Sequence, residues 1–308
     1  MTWFFIALIA PALYAVCNHI DKFLIEKFLS KDPGQKEEVG SLILFSTLFS
    51  LLVLPVIYLI EPGVFSVPIF NIGILLLNGV LCVGAIVLYL YAMEKDEASI
   101  VVPFYQLIPV FGYILGVFVL GELLSFRQIV SSLIIIAAAI ALSFDLSSEK
   151  ISFHGRVLWL MSGASFIFAL SGVIFKKIAV EQGFWLSAFW EFAGLALMGV
   201  IIFLAISTYR RDFIRLLRHS GRPIILLNFL NETLTVIGDL IFMYAYLLAP
   251  IALVLVANVF QPFFVFIYGI FLTIFFPRIS TEKLSRKHLA QKIAAIFVMM
   301  IGAYFLYF

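Results

Sequence analysis

Long apolar runs constrain this chain more than any other feature. About 20 residues of helix, at 1.5 Å rise per residue, cross a hydrocarbon core of about 30 Å, and no water there can satisfy exposed backbone groups. We predict ten membrane-spanning helices, numbered spans 1–10, at residues 3–28, 39–60, 69–93, 98–120, 127–144, 155–177, 184–207, 222–248, 250–276 and 287–307. The predicted fold class is therefore an all-α integral membrane protein.

The composition excludes other classes of protein. Hydrophobic residues make up 64% of the chain and charged residues 12%, whereas soluble domains carry about 25% charged residues. A net charge of +2 gives no reason to expect a nucleic-acid partner. No Walker A loop, H-E-x-x-H, G-x-S-x-G or C-x-x-C motif occurs, so we expect no metal and no cofactor.

Lysine and arginine placement predicts the orientation. We define side A as the face with both termini and the loops after even-numbered spans, and side B as the opposite face. Side A carries three basic residues, Arg127, Lys176 and Lys177, and side B carries the other 17 of 20. Because cytoplasmic loops are rich in lysine and arginine, we predict that side B is cytoplasmic, with both termini outside the cell membrane.

One basic segment on side B, residues 209–220, has two interpretations. Its arginines, continuing to Arg222, are spaced as on one helical face, and its apolar residues take another face: Arg211, Arg215, Arg218 and Arg222 against Phe213, Leu216 and Leu217. This pattern predicts an interfacial helix on anionic headgroups. An ordinary basic loop is an equal alternative.

The chain contains an internal repeat. A shift of 153 places Tyr91-Ala92 on Tyr244-Ala245, Pro109 on Pro262 and Gly116 on Gly269, and a shift of 160 places Glu122 to Ser125 on Glu282 to Ser285. We predict two five-helix repeats, residues 1–146 and 151–308. Five is odd, so the second repeat must be inverted in the membrane, which is the architecture of many secondary transporters.

The first repeat resembles a known family. Its motif residues are Tyr91-Ala92, Ala98-Ser99, Pro109-Val110, Leu120 to Ser125 and Gln128. This run is similar to the signature of EamA-type drug/metabolite transporters. The resemblance implies a ten-helix bundle whose central cavity, lined by spans 1, 3, 4, 6, 8 and 9, carries small metabolites. The charge pattern departs from that family, whose members commonly keep both termini in the cytoplasm.

Span 8 has a polar stripe at helical spacing: Asn228, Asn231, Glu232, Thr235 and Asp239. A charged group at mid-bilayer costs about 2.5–3.5 kcal/mol on insertion scales and requires a partner, a wet cavity or a function. We interpret the stripe as a cavity wall, with Glu232 as the partner of an ion, a proton or a substrate amine. The alternative is an interhelical hydrogen-bond network.

Other polar residues in the spans have less specific signals. Span 1 offers Asn18 and His19, although a lone intramembrane histidine is more often a packing residue than a proton relay. Lys22 and Lys176 near span ends are expected to snorkel to the headgroups. Glu191 on span 7 is expected at the interface. Glu122 and Glu282 are expected to cap the helices that follow them.

Spans 4 and 9 carry corresponding polar residues beside a proline. Tyr105, Gln106 and Pro109 correspond broadly to Asn258, Gln261 and Pro262. Proline loosens the preceding turn, so each proline is a candidate hinge with amides facing a solute. A fixed kink with the amides used for packing is an equal alternative.

These patterns together predict a secondary transporter that moves a small polar or amphipathic metabolite by alternating access, with a proton as the coupling ion. The candidate substrate-binding residues are Asn18, His19, Tyr105, Gln106, Asn231, Glu232, Thr235, Asp239, Asn258 and Gln261. A flippase for a lipid-linked substrate is one rival. A membrane-embedded enzyme built on Glu232 and His19 is a second.

Overall fold

The structure is a computed structural model that describes residues 2–24, 39–93, 102–143, 155–219, 221–275 and 286–307. Its regular structure within these ranges is helical: α1 (Thr2–Leu24), α2 (Val39–Ile60), α3 (Ile69–Met93), α4 (Ile108–Leu115), α5 (Phe126–Ser143), α6 (Gly155–Gln182), α7 (Phe184–Ala205), α8 (Ser207–His219), α9 (Arg222–Leu248), α10 (Ile251–Asn258), α11 (Gln261–Phe275) and α12 (Arg286–Tyr307). Short 3₁₀ helices lie at Pro62–Ser66 and Val102–Leu107, and a π turn lies at Gly116–Leu120.

Seven of the described segments are long and apolar enough to cross a membrane: Thr2–Asp21, Gly40–Ile60, Ile69–Tyr89, Gly155–Gln182, Phe184–Ala205, Arg222–Leu248 and Ile251–Phe275. Three shorter apolar helices cover Phe104–Leu120, Phe126–Ala141 and Ala290–Leu306. Large apolar side chains point outward, including Ile69, Phe118 and Trp159 at 87%, 84% and 79% exposure. In water such a surface would aggregate, so the protein is a multi-pass membrane protein.

The two halves of the chain interlock in the bundle. Helix α1 packs against α9, α10 and α11, all from the second half of the sequence. Helix α6, the first of the second half, packs against α3 and α4 from the first half. Two further pairs, α2 with α7 and α5 with α12, also join the halves. Most of the apolar core is therefore shared between the halves, and neither half buries its own helices alone.

Spans 4 and 9 are broken helices. The first consists of the 3₁₀ helix Val102–Leu107, α4 and the π turn, and Pro109 lies in the first turn of α4. In span 9, a turn at residues 259–260 separates α10 from α11, and Pro262 lies in the first turn of α11. Proline is tolerated there because its missing N–H would have no intrahelical partner.

Two other boundaries differ from the sequence-based expectation. Helix α6 continues to Gln182, five residues beyond the expected end of span 6. It turns into α7 at the single residue Gly183, whose φ of 99° favours glycine. The basic segment on side B is helical, as α8, so the loop interpretation is wrong.

Helix α8 is amphipathic and packs on α2 and α7. The Phe213 ring lies 6.3 Å from Phe45 and 6.2 Å from Phe203 between ring centroids, and Leu216 is buried. The arginines of the other face are exposed: Arg211, Arg215 and Arg218. A helix with an apolar face on protein and cations outward fits the water–lipid interface.

Helices α3 and α7 approach so closely that glycine is required at their contact. A Cβ atom added at Gly79 would lie 2.3 Å from the Glu191 carbonyl oxygen. A Cβ atom added at Gly194 would lie 2.2 Å from the Leu76 carbonyl oxygen. Small residues allow such backbone contact in membranes, where van der Waals packing drives helix association.

This contact makes a prediction about stability. The substitution Gly79→Ala should lower the melting temperature of the protein in detergent, because the new methyl group meets backbone. The matched control is Gly84→Ala on the same helix, where nothing lies within 4 Å of the added Cβ. Alanine exceeds glycine in helix propensity by about 1 kcal/mol, so the control should melt at the parent temperature or above it. Equal melting of the two variants would contradict the close contact.

Candidate functional site

Polar side chains line the interface between α1 and α9. The Tyr14 hydroxyl donates to Asp239 Oδ1 at 2.6 Å, and Asn231 Nδ2 donates to Asp21 Oδ1 at 2.7 Å. Between these pairs, the Thr235 hydroxyl lies 3.4 Å from the sulfur of Cys17. Three members of the span 8 stripe therefore contact span 1 in successive layers. Asp21 was not among the predicted site residues, although its helical spacing from Tyr14 and Cys17 was a usable signal.

Glu232 faces another helix. The Ser46 hydroxyl on α2 donates to Glu232 Oε1 at 2.5 Å, and the rings of Phe49 and Phe229 contact each other at the same α2–α9 interface, 5.1 Å between centroids. Glu232 nevertheless lies close enough to Asp21 and Asp239 for the three charges to act on one another. The stripe thus presents carboxylates to two neighbouring helices.

The predicted residues of span 1 have different surroundings. Asn18 is exposed, and His19 is half-buried with Nε2 3.0 Å from the Val265 carbonyl oxygen on α11. With a proton on Nε2, His19 donates this hydrogen bond. His19 and Glu232 therefore have separate partners on separate helices, and the structure records no contact between them in the part of the chain it describes.

Spans 4 and 9 place aromatic and amide groups in the bundle. The Tyr105 ring lies 5.2 Å from the Tyr89 ring and 6.2 Å from the Phe168 ring, between centroids. Gln106 is buried, whereas Asn258 and Gln261 are half-buried. Within the described ranges, three amide oxygens of the predicted site are buried with no hydrogen-bond partner: Gln106 Oε1, Asn231 Oδ1 and Asn258 Oδ1.

On side A, charged residues join four segments. Glu122 forms an ion pair with Lys176 of α6, and Glu122 Oε2 accepts from the Ile251 backbone N–H, 2.7 Å away, at the start of α10. Lys176 also donates to the Ala249 carbonyl oxygen at 2.6 Å. We call these four residues the side-A junction. It links the end of span 4 to spans 6, 8 and 9.

The side-A junction corrects two expectations. Lys176 is buried and paired, so the snorkelling prediction is wrong for it. Glu122 caps α10 and not the helix that follows it in sequence. That helix, α5, is capped by Ser125 and Gln128, each of which accepts from the other's backbone N–H. Neither error was avoidable from sequence, because the partners lie 54 to 129 residues away. The Lys22 side chain and Glu282 lie outside the described residues.

Glu191 was expected at the membrane interface, and this expectation is wrong. Its side chain is buried at 3% exposure. Asn78 Nδ2 on α3 donates to Glu191 Oε2 at 2.9 Å and also lies 3.2 Å from the Ser171 carbonyl oxygen on α6. Glu191 therefore belongs to an interhelical network of α3, α6 and α7, next to the glycine contact described above.

The two ends of spans 4 and 9 are packed differently. On side A, a Cβ at Gly112 would lie 2.2 Å from Leu255 Cδ1, a Cβ at Gly116 would lie 3.1 Å from Ile251 Cγ2, and α10 is buried from residue 251 to residue 257. On side B, residues 261–265 of α11 are only half-buried. The polar contacts of Asp21, Asn231 and Glu232 lie in this less tightly packed half.

Comparison with known proteins identifies the first half of the chain. Residues 2–144 match the EamA-like transporter family. These residues belong to that family. The match confirms the resemblance seen in the sequence motif, and it indicates a membrane transporter of the drug/metabolite type. Members of the EamA-like family are transporters and not enzymes.

The fold is also similar to solved structures. One, described only as "Crystal structure of protein", aligns with a TM-score of 0.67 over 99% of this chain and 96% of that chain, at 13% sequence identity. An identity this low shows a shared fold alone. None of the curated proteins matches the chain significantly.

The side-A junction gives a second prediction. Replacing one member of a buried ion pair leaves an uncompensated charge and costs about 3 kcal/mol or more. We therefore expect Glu122→Gln and Lys176→Met each to lower the melting temperature in detergent by several degrees. The double variant should lose less than the sum of the two. Glu181→Gln, an exposed glutamate on α6, is the control. Strictly additive losses would show that the two charges do not stabilise each other.

Proposed function

We propose that the protein is a secondary transporter that moves a small polar or amphipathic metabolite across the cytoplasmic membrane by alternating access. Its ten spans form two inverted five-helix repeats, residues 1–146 and 151–308, and the substrate binds between them. The coupling ion in this proposal is a proton. The family of residues 2–144 supports transport itself; the packing and the polar contacts described above support the finer parts.

The observation that carries the proposal is a symmetry in the packing. Span 1 (α1) packs on spans 8 and 9, and span 6 (α6) packs on spans 3 and 4. These are the same interaction with the repeats exchanged. Span 2 pairs with its counterpart span 7, and span 5 with its counterpart span 10. A two-fold axis in the membrane plane would generate this pattern, and inverted repeats have such an axis.

The difference between the two ends of the bundle supports alternating access. Side A is held by the side-A junction and by close glycine contacts, whereas the polar residues of spans 1 and 8 lie in the half towards side B. The helix breaks ahead of Pro109 and Pro262 lie between the two ends. We propose that these prolines are the hinges about which the side-A ends of spans 4 and 9 separate when the carrier opens outward.

The proposed substrate contacts are the ten polar residues predicted from the sequence: Asn18, His19, Tyr105, Gln106, Asn231, Glu232, Thr235, Asp239, Asn258 and Gln261. Carboxylates removed from water need a countercharge, a proton or a wet cavity. The partners recorded for Glu232 and Asp239 are the neutral hydroxyls of Ser46 and Tyr14. A proton that binds and leaves Glu232 during the cycle meets this need and supplies the driving force.

Proton coupling is tested with Glu232→Gln in proteoliposomes, using a solute found by thermal-shift screening of metabolites. We expect uptake driven by a pH gradient to fall to background, because glutamine holds no exchangeable proton. Solute counterflow, which needs no gradient, should persist. Glu181→Gln is the matched control and should keep both activities. Undiminished gradient-driven uptake by Glu232→Gln would remove Glu232 from the coupling mechanism.

The orientation is tested by labelling single introduced cysteines in intact cells with a membrane-impermeant maleimide, with the parent chain as the blank. Thr2→Cys at the start of α1 should react from outside. Arg218→Cys on the exposed face of α8 should react only after the cells are made permeable. The reverse pattern would place side B outside and would contradict the prediction from lysine and arginine placement.

A further inference from the structure

Asp21 and a cluster of aromatic rings lie on different parts of the bundle. Asp21 is on α1, which packs on α9, α10 and α11. The rings of Tyr89, Tyr105 and Phe168 come from α3, span 4 and α6, which pack on one another. Asp21 lies within electrostatic range of Tyr89, although α1 and α3 do not pack extensively in the described part of the chain. A carboxylate and three rings therefore face each other across a poorly packed boundary.

The polar groups beside Asp21 are hydrogen-bond acceptors. Asn231 is buried at 5% exposure. It donates through Nδ2 to Asp21, which directs its amide at the carboxylate and leaves Oδ1 with no partner among the described residues. A buried acceptor left unpaired costs about 1–3 kcal/mol. A ligand that donates hydrogen bonds would satisfy it, whereas a carboxylate or phosphate ligand would bring more acceptors and repulsion from Asp21.

The aromatic cluster adds a second selection. The faces of tyrosine and phenylalanine rings carry negative potential and attract cations, by about 0.5–2 kcal/mol for each favourable contact. A small metal ion would gain little from rings and would need several oxygen ligands. An organic ammonium ion combines a positive charge, N–H donors and an apolar body, and it therefore suits both the acceptors and the rings.

We propose that Asp21, Asn231 and the cluster of Tyr89, Tyr105 and Phe168 form a binding site for an organic ammonium ion. The ammonium group lies between the Asp21 carboxylate and Asn231 Oδ1, and the apolar part of the ligand lies against the rings. The assignment of this ligand as the cargo rests on the transport function proposed above. Binding itself does not depend on that function.

The binding test uses three ligands of similar shape and different charge. The purified full chain in detergent at pH 7 is titrated by calorimetry with 2-phenylethylammonium chloride, 2-phenylethanol and phenylacetate. We expect the ammonium ion to bind at least about tenfold more tightly than the other two, since opposite charges near a protein surface attract by more than the 1.4 kcal/mol that a factor of ten requires. Equal or tighter binding of phenylacetate or 2-phenylethanol, or no binding of any ligand at millimolar concentration, would overturn the proposal.

Matched variants locate the site. Asp21→Asn should weaken binding of 2-phenylethylammonium about tenfold or more, and Asp212→Asn on α8 should leave it unchanged. Phe168→Leu should weaken binding severalfold, whereas Phe166→Leu, an outward-facing ring on the same helix, should not. Circular dichroism melting checks the fold of each variant. If Asp21→Asn does not fold, the Phe168 and Phe166 pair still decides, and equal affinities for that pair would overturn the assignment.

Counterflow separates this proposal from the proposed function. Proteoliposomes loaded with unlabelled 2-phenylethylammonium should accumulate the labelled compound faster than protein-free liposomes, which measure passive leak. Accumulation that Asp21→Asn abolishes supports both the site and transport. Selective binding without accumulation would retain the site and contradict transport of this ligand class. Accumulation that Asp21→Asn leaves intact would overturn the role of Asp21 in recognition.

Discussion

The lack of water in the hydrocarbon core governs the structure. Every polar group in that region must find a partner inside the protein, so the backbone is helical and the polar side chains point at one another. Asp239 accepts from Tyr14, Asp21 from Asn231, and Glu191 from Asn78. All three pairs join helices that lie far apart in sequence. The same constraint therefore forms the bundle and concentrates the groups with chemical potential at its internal interfaces.

The two halves of the chain depend on each other because each supplies the other's packing surface. Helix α1 finds its main partner in α9, and α6 finds its main partner in α3. Glu122 shows the same principle with charges, since its partners Lys176 and Ile251 belong to the second half. An exchange of partners between repeats allows the halves to rotate as rigid units while the interfaces between them change, which is the mechanical requirement of alternating access.

Side-chain chemistry divides the bundle into a closely packed end and a polar end. Towards side A, glycines allow span 4 to contact Leu255 and Ile251 directly. Towards side B, amide and carboxylate groups replace this packing, and Asn231 retains an unsatisfied oxygen. Natural proteins rarely keep a buried polar atom unpaired without a reason. A bound ligand is the reason that we propose here, and its chemistry follows from the acceptors and rings that surround the position.

The sequence by itself determined the helical membrane class, the EamA-like character of residues 2–144 and the positions of most spans, because apolar runs, prolines and motif spacing are local signals. It also placed Asn231, Thr235 and Asp239 on one face. Only the tertiary structure decided which helix each polar group meets: Glu232 turns to α2, Glu191 is buried, and Glu122 caps a helix of the other half. Helical periodicity specifies a direction around one axis, whereas a partner is specified by how ten axes pack together, which no local pattern encodes.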